Sequence, residues 1–180
     1  GVQNVIQFQD GLTGTIALDK GLGQLAITSS IKIVGLGVSN TVIDAGHSLR
    51  VFSVASGSGN VEFNNLTIQN GATTGNFGSG SGAGISSQTT GTLTLQNCVV
   101  TGNSTTGSHA YGGAIFAKGP VIVTNSTISN NSTAANYTPG GAIAVFSSAV
   151  TISNSTLTGN STAGDFSHAG AVYTQTAGGT

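Results

Sequence analysis

The acidic side chains are the groups from which this chain could build an acid–base site or a calcium site, because both need carboxylates held close together. The five acids are spread through the sequence, at Asp10, Asp19, Asp44, Glu62 and Asp165. The four bases are equally scattered, at Lys20, Lys32, Arg50 and Lys118. We expect solvated surface charges, with Asp44 and Arg50 as the one candidate pair, for a structural contact. The sequence therefore predicts no catalytic residues, no metal site and no cofactor.

The three histidines are the remaining candidates for a metal or acid–base site. His109 lies six residues before Ile115, whereas His168 lies four residues before Val172, so the two differ in phase within the repeat described below. His47 lies well before both of them. A shared site is not expected, and all three histidines are predicted to be exposed loop residues.

The composition excludes several classes of partner. Charged residues make up 5% of the 180 residues, and the net charge is -1. Four Lys and Arg residues cannot form a surface that tracks phosphates, so nucleic acid is not an expected partner. No apolar run approaches the ~20 residues that span a bilayer, so this segment is not expected to insert into a membrane. The abundant Gly and the β-branched residues favour strands and tight turns.

An asparagine recurs at a nearly constant interval in the later part of the chain. Its copies are separated by 32, 28 and 29 residues, and they are Asn65, Asn97, Asn125 and Asn154. A second anchor, an aliphatic residue after small residues, recurs at spacings of 30, 28 and 29, and its copies are Ile85, Ile115, Ile143 and Val172. Two independent anchors with nearly the same period indicate a true structural repeat.

The asparagine anchor marks a bend between two strands. Apolar and polar residues alternate with a period of two before it, which is typical of a half-buried strand. The alternation then slips by one residue, which would turn the side chains to the other face unless the chain bends there. Asparagine tolerates the left-handed conformation that a tight bend needs. Stacked along the axis, the side chains are predicted to form a structural hydrogen-bonded ladder of Asn65, Asn97, Asn125 and Asn154.

A repeat of about 29 residues with two or three short strands cannot bury its apolar side alone, but coils stacked ~4.8 Å apart bury it against one another. The predicted fold is all-β, a right-handed single-stranded parallel β-helix, or solenoid, of roughly six coils of about 28–32 residues. Residues 1–180 are predicted to form one domain. Residues 1–60 are expected to be irregular N-terminal coils or a cap, and residues 61–180 regular repeats that continue or stack beyond the C-terminus.

Several short motifs resemble those of bacterial right-handed β-helix repeat proteins. Residues 11–18, Gly-Leu-Thr-Gly-Thr-Ile-Ala-Leu, look like the start of such proteins. The Gly-Gly-Ala-Ile tetrads at 112–115 and 140–143 are similar to the repeats of polymorphic outer-membrane proteins and autotransporter passengers. The resemblance covers nearly the whole chain. It implies an exported bacterial protein that is extracellular or on the cell surface and acts as an adhesin.

Other repeat positions could carry binding. Six residues before the aliphatic anchor stand His109, Tyr137 and Phe166, a column of rings that could bind sugars or pack on a neighbouring chain. A Ser-Thr pair recurs at 104–105, 132–133 and 161–162, and its threonines could form a column that orders water, as in ice-binding solenoids. Asn-Ser-Thr triplets begin at residues 103, 125, 131, 154 and 160, and turn chemistry explains them.

The sequence thus predicts a non-catalytic structural or adhesive extracellular module of a bacterial surface protein, not an enzyme. Its expected partners are itself, through end-to-end stacking into filaments, or host and matrix glycans and proteins. One alternative is a polysaccharide-binding or polysaccharide-degrading β-helix protein, which would need a groove joining Asp44, Arg50 and another acid, or a ring column facing solvent. The other is an ice-binding solenoid.

Overall fold

Six turns of chain stack along one axis in the computed structural model of the protein, which describes residues 4–175. Within residues 4–175, the strands pair in parallel with the equivalent strands of neighbouring turns, on both sides inside each sheet and on one side at the ends of each sheet. The turns, called coils below, wind with a right hand, as crossings between parallel strands almost always do. The predicted all-β, right-handed parallel β-helix is therefore confirmed.

The first two coils contain three strands each. Coil 1 has β1 (Asn4–Gln7), β2 (Gly14–Ala17) and β3 (Leu25–Ile27), and coil 2 has β4 (Ile31–Val34), β5 (Thr41–Asp44) and β6 (Phe52–Val54). The later coils each contain an additional two-residue strand. Coil 3 has β7 (Val61–Asn64), β8 (Thr67–Gln69), β9 (Ala72–Thr73), a 3₁₀ turn (Phe77–Ser79) and β10 (Ile85–Ser87). Coil 4 has β11 (Leu93–Gln96), β12 (Val99–Thr101), β13 (Ser104–Thr105) and β14 (Ile115–Ala117). Coil 5 has β15 (Val121–Thr124), β16 (Thr127–Ser129), β17 (Ser132–Thr133) and β18 (Ile143–Phe146), and coil 6 has β19 (Val150–Ser153), β20 (Thr156–Thr158), β21 (Ser161–Thr162) and β22 (Val172–Gln175).

The strands form four sheets that run along the axis. Sheet 1 contains β1, β4, β7, β11, β15 and β19, and sheet 2 contains β2, β5, β8, β12, β16 and β20. Sheet 3 contains only β9, β13, β17 and β21, because the short strand is absent from coils 1 and 2. Sheet 4 contains β3, β6, β10, β14, β18 and β22. Residues 1–3 and 176–180, the two ends of the predicted domain, lie outside the described residues.

The core consists of apolar side chains stacked in columns inside the coils. The aliphatic anchors pair in register, since Ile115 lies between Ile85 and Ile143. A column on sheet 2 runs through residues that are at most 3% exposed, namely Ile43, Ile68, Val100 and Ile128. Each such side chain contributes roughly 1.5–3 kcal/mol through burial. The alternation seen in the sequence therefore corresponds to inward and outward side chains.

The bends at the asparagine anchor adopt the predicted conformation. Asn65, Asn97, Asn125 and Asn154 have positive φ angles between 49° and 56°. A second column of left-handed residues follows sheet 2, formed by Asn70, Gly102, Asn130 and Gly159. Both columns use the residue types that tolerate this conformation with little strain.

The side-chain ladder runs through a different asparagine column from the one predicted. The Nδ2 of Asn103 donates to Oδ1 of Asn131 at 2.9 Å, and the Nδ2 of Asn131 donates to Oδ1 of Asn160 at 3.0 Å. The backbone N–H groups of Asn103 and Asn131 donate to the same oxygens, both at 3.0 Å. Asn103 and Asn131 are fully buried, where an amide needs partners.

The bend asparagines take no part in such a ladder. In the described chain, no side-chain hydrogen bond involves the column first proposed, Asn65, Asn97, Asn125 and Asn154. Asn97, Asn125 and Asn154 are exposed, so water competes with any amide–amide bond between coils. The bend position therefore selects asparagine for its backbone conformation, and the buried position selects it for its amide.

We expect the two asparagine columns to respond differently to mutation. Replacing Asn131 with Ala removes the acceptor of two buried donors on Asn103, so the free energy of unfolding should fall by about 3 kcal/mol. The matched control Asn125→Gly keeps the left-handed bend and should change it by less than about 0.5 kcal/mol. Urea unfolding followed by circular dichroism measures both, and equal losses would contradict the assignment of the ladder.

Candidate functional site

The predicted contact between Asp44 and Arg50 is not present in the structure. Asp44 instead accepts hydrogen bonds from the backbone N–H of Gly46 at 2.8 Å and from the side chains of Gln69 and Asn70 at 2.8–3.1 Å. Partial burial acts to raise the pKa of Asp44, but these hydrogen bonds and the nearby His47 lower it overall. Asp44 is therefore an acceptor that fastens coil 2 to coil 3.

Arg50 is a half-buried cation held by neutral oxygens. Its Nε donates to the carbonyl of Gly82 at 2.9 Å, and its Nη2 donates to the carbonyls of Ser79 and Ser81 at 2.6 and 3.1 Å. Its Nη1 donates to Oε1 of Gln24 at 2.9 Å, and burial lowers its pKa. Arg50 thus anchors the loop of coil 3, and none of its partners is acidic.

One ion pair was missed by the sequence analysis. Lys32 and Glu62 face each other in register on sheet 1, with Nζ and Oε1 3.0 Å apart. Partial burial acts to raise the pKa of Glu62, but Lys32 and Asn64 lower it overall. The sequence did not predict this pair, because coil 2 could not be aligned with the later repeats.

Among residues 4–175, no three His, Cys, Asp or Glu side chains are grouped closely enough to hold a metal ion.

The single thiol is buried. Cys98 is 1% exposed, and its Sγ lies 3.3 Å from the carbonyl oxygens of Phe63 and Gln96. Burial raises the pKa of Cys98 to about 11. The side chain therefore stays a neutral thiol at physiological pH and lacks the character of a nucleophile.

The threonine column of sheet 3 lies inside the coils, contrary to the water-ordering surface that ice binding would need. Thr105 and Thr133 are at most 1% exposed. The Oγ1 of Thr133 donates to the carbonyl of Thr138 at 2.6 Å, across the loop that follows the strand. The column therefore fastens loops, and on sheet 3 the smaller serines Ser104 and Ser132 are the partly exposed residues.

The predicted ring column exists and has a fourth member. Phe77 stacks on His109 with ring centroids 4.7 Å apart, His109 on Tyr137 at 4.9 Å, and Tyr137 on Phe166 at 5.0 Å. The interplanar angles are 23°, 12° and 7°. Phe77 was missed because the loop of coil 3 is longer than the others before its aliphatic anchor, Ile85.

The ring column occupies bends where bulky residues are unfavourable. All four residues have positive φ angles, from 52° to 58°, and such bends cost non-glycine residues about 1–3 kcal/mol each. Phe77, Tyr137 and Phe166 are nevertheless 60%, 45% and 65% exposed. Asparagine or glycine fills the equivalent bends beside sheet 2. The turn itself therefore does not explain why rings occupy this position.

Stacking restricts what the ring column can bind. His109 and Tyr137 each have a ring neighbour on both faces, so only their edges remain for a ligand. Only Phe77 and Phe166, at the two ends of the column, have a single stacked neighbour. The column is thus a ridge of ring edges, and its interior offers no flat platform for a sugar.

A second aromatic group lies on the outer face of sheet 4, next to the loops that carry the ring column. It consists of Tyr111, Phe116, Phe146 and Tyr173, called the outer-sheet cluster below. Neighbouring rings are 4.9–6.5 Å apart, and three of the four pairs are tilted by 51–57°. Ala144 beneath them is fully buried, whereas Tyr111, Phe146 and Tyr173 keep part of their surface exposed.

The sequence contained a signal for this cluster. Ile115 and Ala117 point inward, so period-two alternation places Phe116 outward, where a large ring is unexpected. The ring column and the outer-sheet cluster together form one aromatic flank. The outward positions of sheets 1 and 2 contain no aromatic residue in the described chain.

We expect Tyr137→Asn to change stability little, because asparagine relieves the strained bend while two stacking contacts, about 0.5–1.5 kcal/mol each, are lost. The melting temperature should shift by less than about 4 °C. Tyr137→Val, whose β-branched side chain resists this conformation, should lower it clearly more. Thermal unfolding of the original protein and of the two variants measures these shifts. A large fall in the melting temperature of Tyr137→Asn would show that the ring is needed for the turn.

Comparison with known proteins identifies a family but no individual relative. No curated protein and no solved structure matches the chain. No helix among residues 4–175 has the length and hydropathy to span a membrane. The sequence profile of the family described as a right-handed β-helix region matches residues 51–170, two thirds of the chain, in agreement with the observed coils. The chain therefore belongs to the right-handed β-helix family.

Proposed function

We propose that the protein is a non-catalytic adhesive module of a bacterial surface or extracellular protein, with the aromatic flank as its contact surface. The observation that carries the proposal is the distribution of exposed rings. From coil 3 to coil 6 they are confined to one flank of the rod, although asparagine or glycine would occupy all four bends of the ring column at less strain. Aromatic residues are enriched at the centres of binding surfaces.

The arrangement of charges supports binding over catalysis. Asp44 and Glu62 are both engaged in bonds that fasten neighbouring coils. Two clefts of about 160 and 260 Å³ open beside coil 1, and neither is lined by an acidic residue. A polysaccharide-degrading enzyme needs an acid or base at its cleft, so these clefts do not support that alternative.

The adhesive function is tested by screening the protein against glycans and matrix proteins and then measuring the affinity of two variants. Phe166→Ser together with Tyr173→Ser should weaken binding at least tenfold, because both rings lie in the flank. The matched control Ile122→Ser, at a 36% exposed apolar residue on sheet 1, outside the aromatic flank, should bind as the original protein does. Equal affinities in all three proteins would exclude the flank as the contact surface.

A second candidate function is structural, as a filament built by end-to-end stacking. In coil 1 the apolar residues Val5, Ile6 and Ile16 are 58%, 49% and 41% exposed, and among the described residues β1 and β2 each pair on one side only. At the other end, β19 and β20 also pair on one side only within residues 4–175. Because all strands are parallel, the last coil of one copy presents edges of the right polarity to the first coil of another.

Electron microscopy over a range of concentrations tests the filament. Long unbranched fibres are expected, and Ile16→Lys, which places a charge in the joint, should disperse them. The control Ile122→Lys carries the same change on the side of the rod and should leave the fibres intact. Short monodisperse rods at every concentration would contradict end-to-end stacking and leave the adhesive function as the only candidate.

A further inference from the structure

We propose that Lys32 and Asn64 become joined by a covalent cross-link, an amide bond between Nζ of Lys32 and Cγ of Asn64, which forms by a reaction within the folded chain. Lys32 lies in β4 and Asn64 in β7, so the bond connects coil 2 to coil 3 through side chains. The cross-link is separate from the adhesive and filament functions proposed above, and neither function depends on it.

Glu62 holds the two reacting groups against one oxygen atom. Its Oε1 lies 3.0 Å from Nζ of Lys32 and accepts a hydrogen bond from Nδ2 of Asn64 at 2.8 Å. The register explains this meeting, because Lys32 lies opposite Glu62 on the neighbouring strand. Asn64 follows Glu62 by two residues and lies on the same face of the strand. The amine and the carboxamide are therefore held side by side, as a reaction within one molecule requires.

A purely structural role does not explain Asn64. The residue is 5% exposed, and its Oδ1 is buried without a hydrogen-bond partner in the described part of the chain. An unpaired buried oxygen costs free energy, which the ladder residues Asn103 and Asn131 avoid by pairing along the axis. A bend does not select this asparagine either, because it lies within β7 and is not among the residues with positive φ. A reacting carboxamide accounts for the residue type.

The surroundings leave Lys32 and Glu62 to each other. Theirs is the only ion pair among residues 4–175, and their side chains are 34% and 23% exposed, so water reaches them only in part. The facing outward positions on β1, β4 and β11 hold no titratable group; they are Val5, Gln7, Val34, Thr94 and Gln96. No other charged side chain therefore competes for the lysine on this face.

Glu62 is placed to carry a proton from one nitrogen to the other. Partial burial acts to raise the pKa of Glu62, but Lys32 and Asn64 lower it overall, so at neutral pH the side chain is a carboxylate that can accept a proton. Nζ gives one proton to this carboxylate and attacks Cγ of Asn64 as a neutral amine. The Nζ–Cγ bond forms, and the Cγ–Nδ2 bond breaks after Nδ2 receives the proton from Glu62.

The reaction needs no further reactant. Its products are a secondary amide and an ammonium ion, which takes up the remaining proton of the amine and carries away the positive charge of Lys32. Glu62 returns to its carboxylate form, and nothing is oxidised or reduced. The bond closes a loop between residues 32 and 64, which restricts the unfolded chain and thereby stabilises the folded one.

Mass spectrometry of the intact full chain tests the cross-link. The measured mass should be lower than the mass calculated from the sequence by one ammonia molecule. Trypsin cleaves after lysine and arginine, and the amide blocks cleavage at Lys32, so residues 21–50 and 51–118 should appear as one branched peptide. Lys32→Arg keeps the ion pair but cannot form the bond, so it should have its calculated mass, as should Glu62→Gln. The control Lys20→Gln, at an exposed lysine of coil 1, should show the same mass deficit as the original protein.

Thermal unfolding supplies a second measurement on the same proteins, after circular dichroism confirms that each variant folds. Lys32→Arg should melt at least about 5 °C below the original protein, because its unfolded chain is not restricted by the loop. An original protein with its full calculated mass would overturn the proposal. A mass deficit that persists in Lys32→Arg would overturn it as well, since the ammonia would then come from another position, such as a cyclic imide at Asn70 and Gly71.

Discussion

The hydrogen bonds between parallel strands of successive coils are the interaction on which the rest of this structure depends. They fix the register, so each position of one coil lies directly over the same position of the next. Residues at equivalent positions therefore form columns along the axis, with successive members about 4.8 Å apart. Apolar columns produce the core, and a buried polar column must satisfy itself along the axis, as Asn103, Asn131 and Asn160 do.

The same register explains why the residues at bends tell more about function than the residues in strands do. A strand column accepts any residue of suitable size, but a left-handed bend accepts asparagine and glycine far more readily than a ring. The columns at Asn125 and Asn130 follow this rule. The column at Tyr137 departs from it, and three of its four rings are exposed, so neither core packing nor turn geometry accounts for them. Such local conflicts are expected where function has shaped the sequence.

Much of the fold could be predicted because periodicity is a property of the sequence itself. The asparagine and aliphatic anchors, which include Asn125 and Ile143, gave the repeat period. The alternation of apolar and polar residues beside the asparagine indicated the strands and the bends. The buried ladder could not be separated from the bends, because Asn131 and Asn125 both begin an Asn-Ser-Thr triplet and only burial distinguishes them. The contact of Asp44 with Gln69 and Asn70 was equally hidden, since coil 2 lacks the short strand of the later coils and resists alignment.

The columns also constrain how the length of such a chain can change. Coils 4 and 5 touch only their neighbours and present matching residues at both junctions, as Leu93, Val121 and Val150 show. Duplicating or deleting one whole coil would therefore restore every column, including the amide of the ladder, with no new type of contact. Loss of a single residue within a strand would turn the following side chains to the wrong face. The natural unit of variation in this molecule is the coil, and a rod of a different length would keep the same surface chemistry.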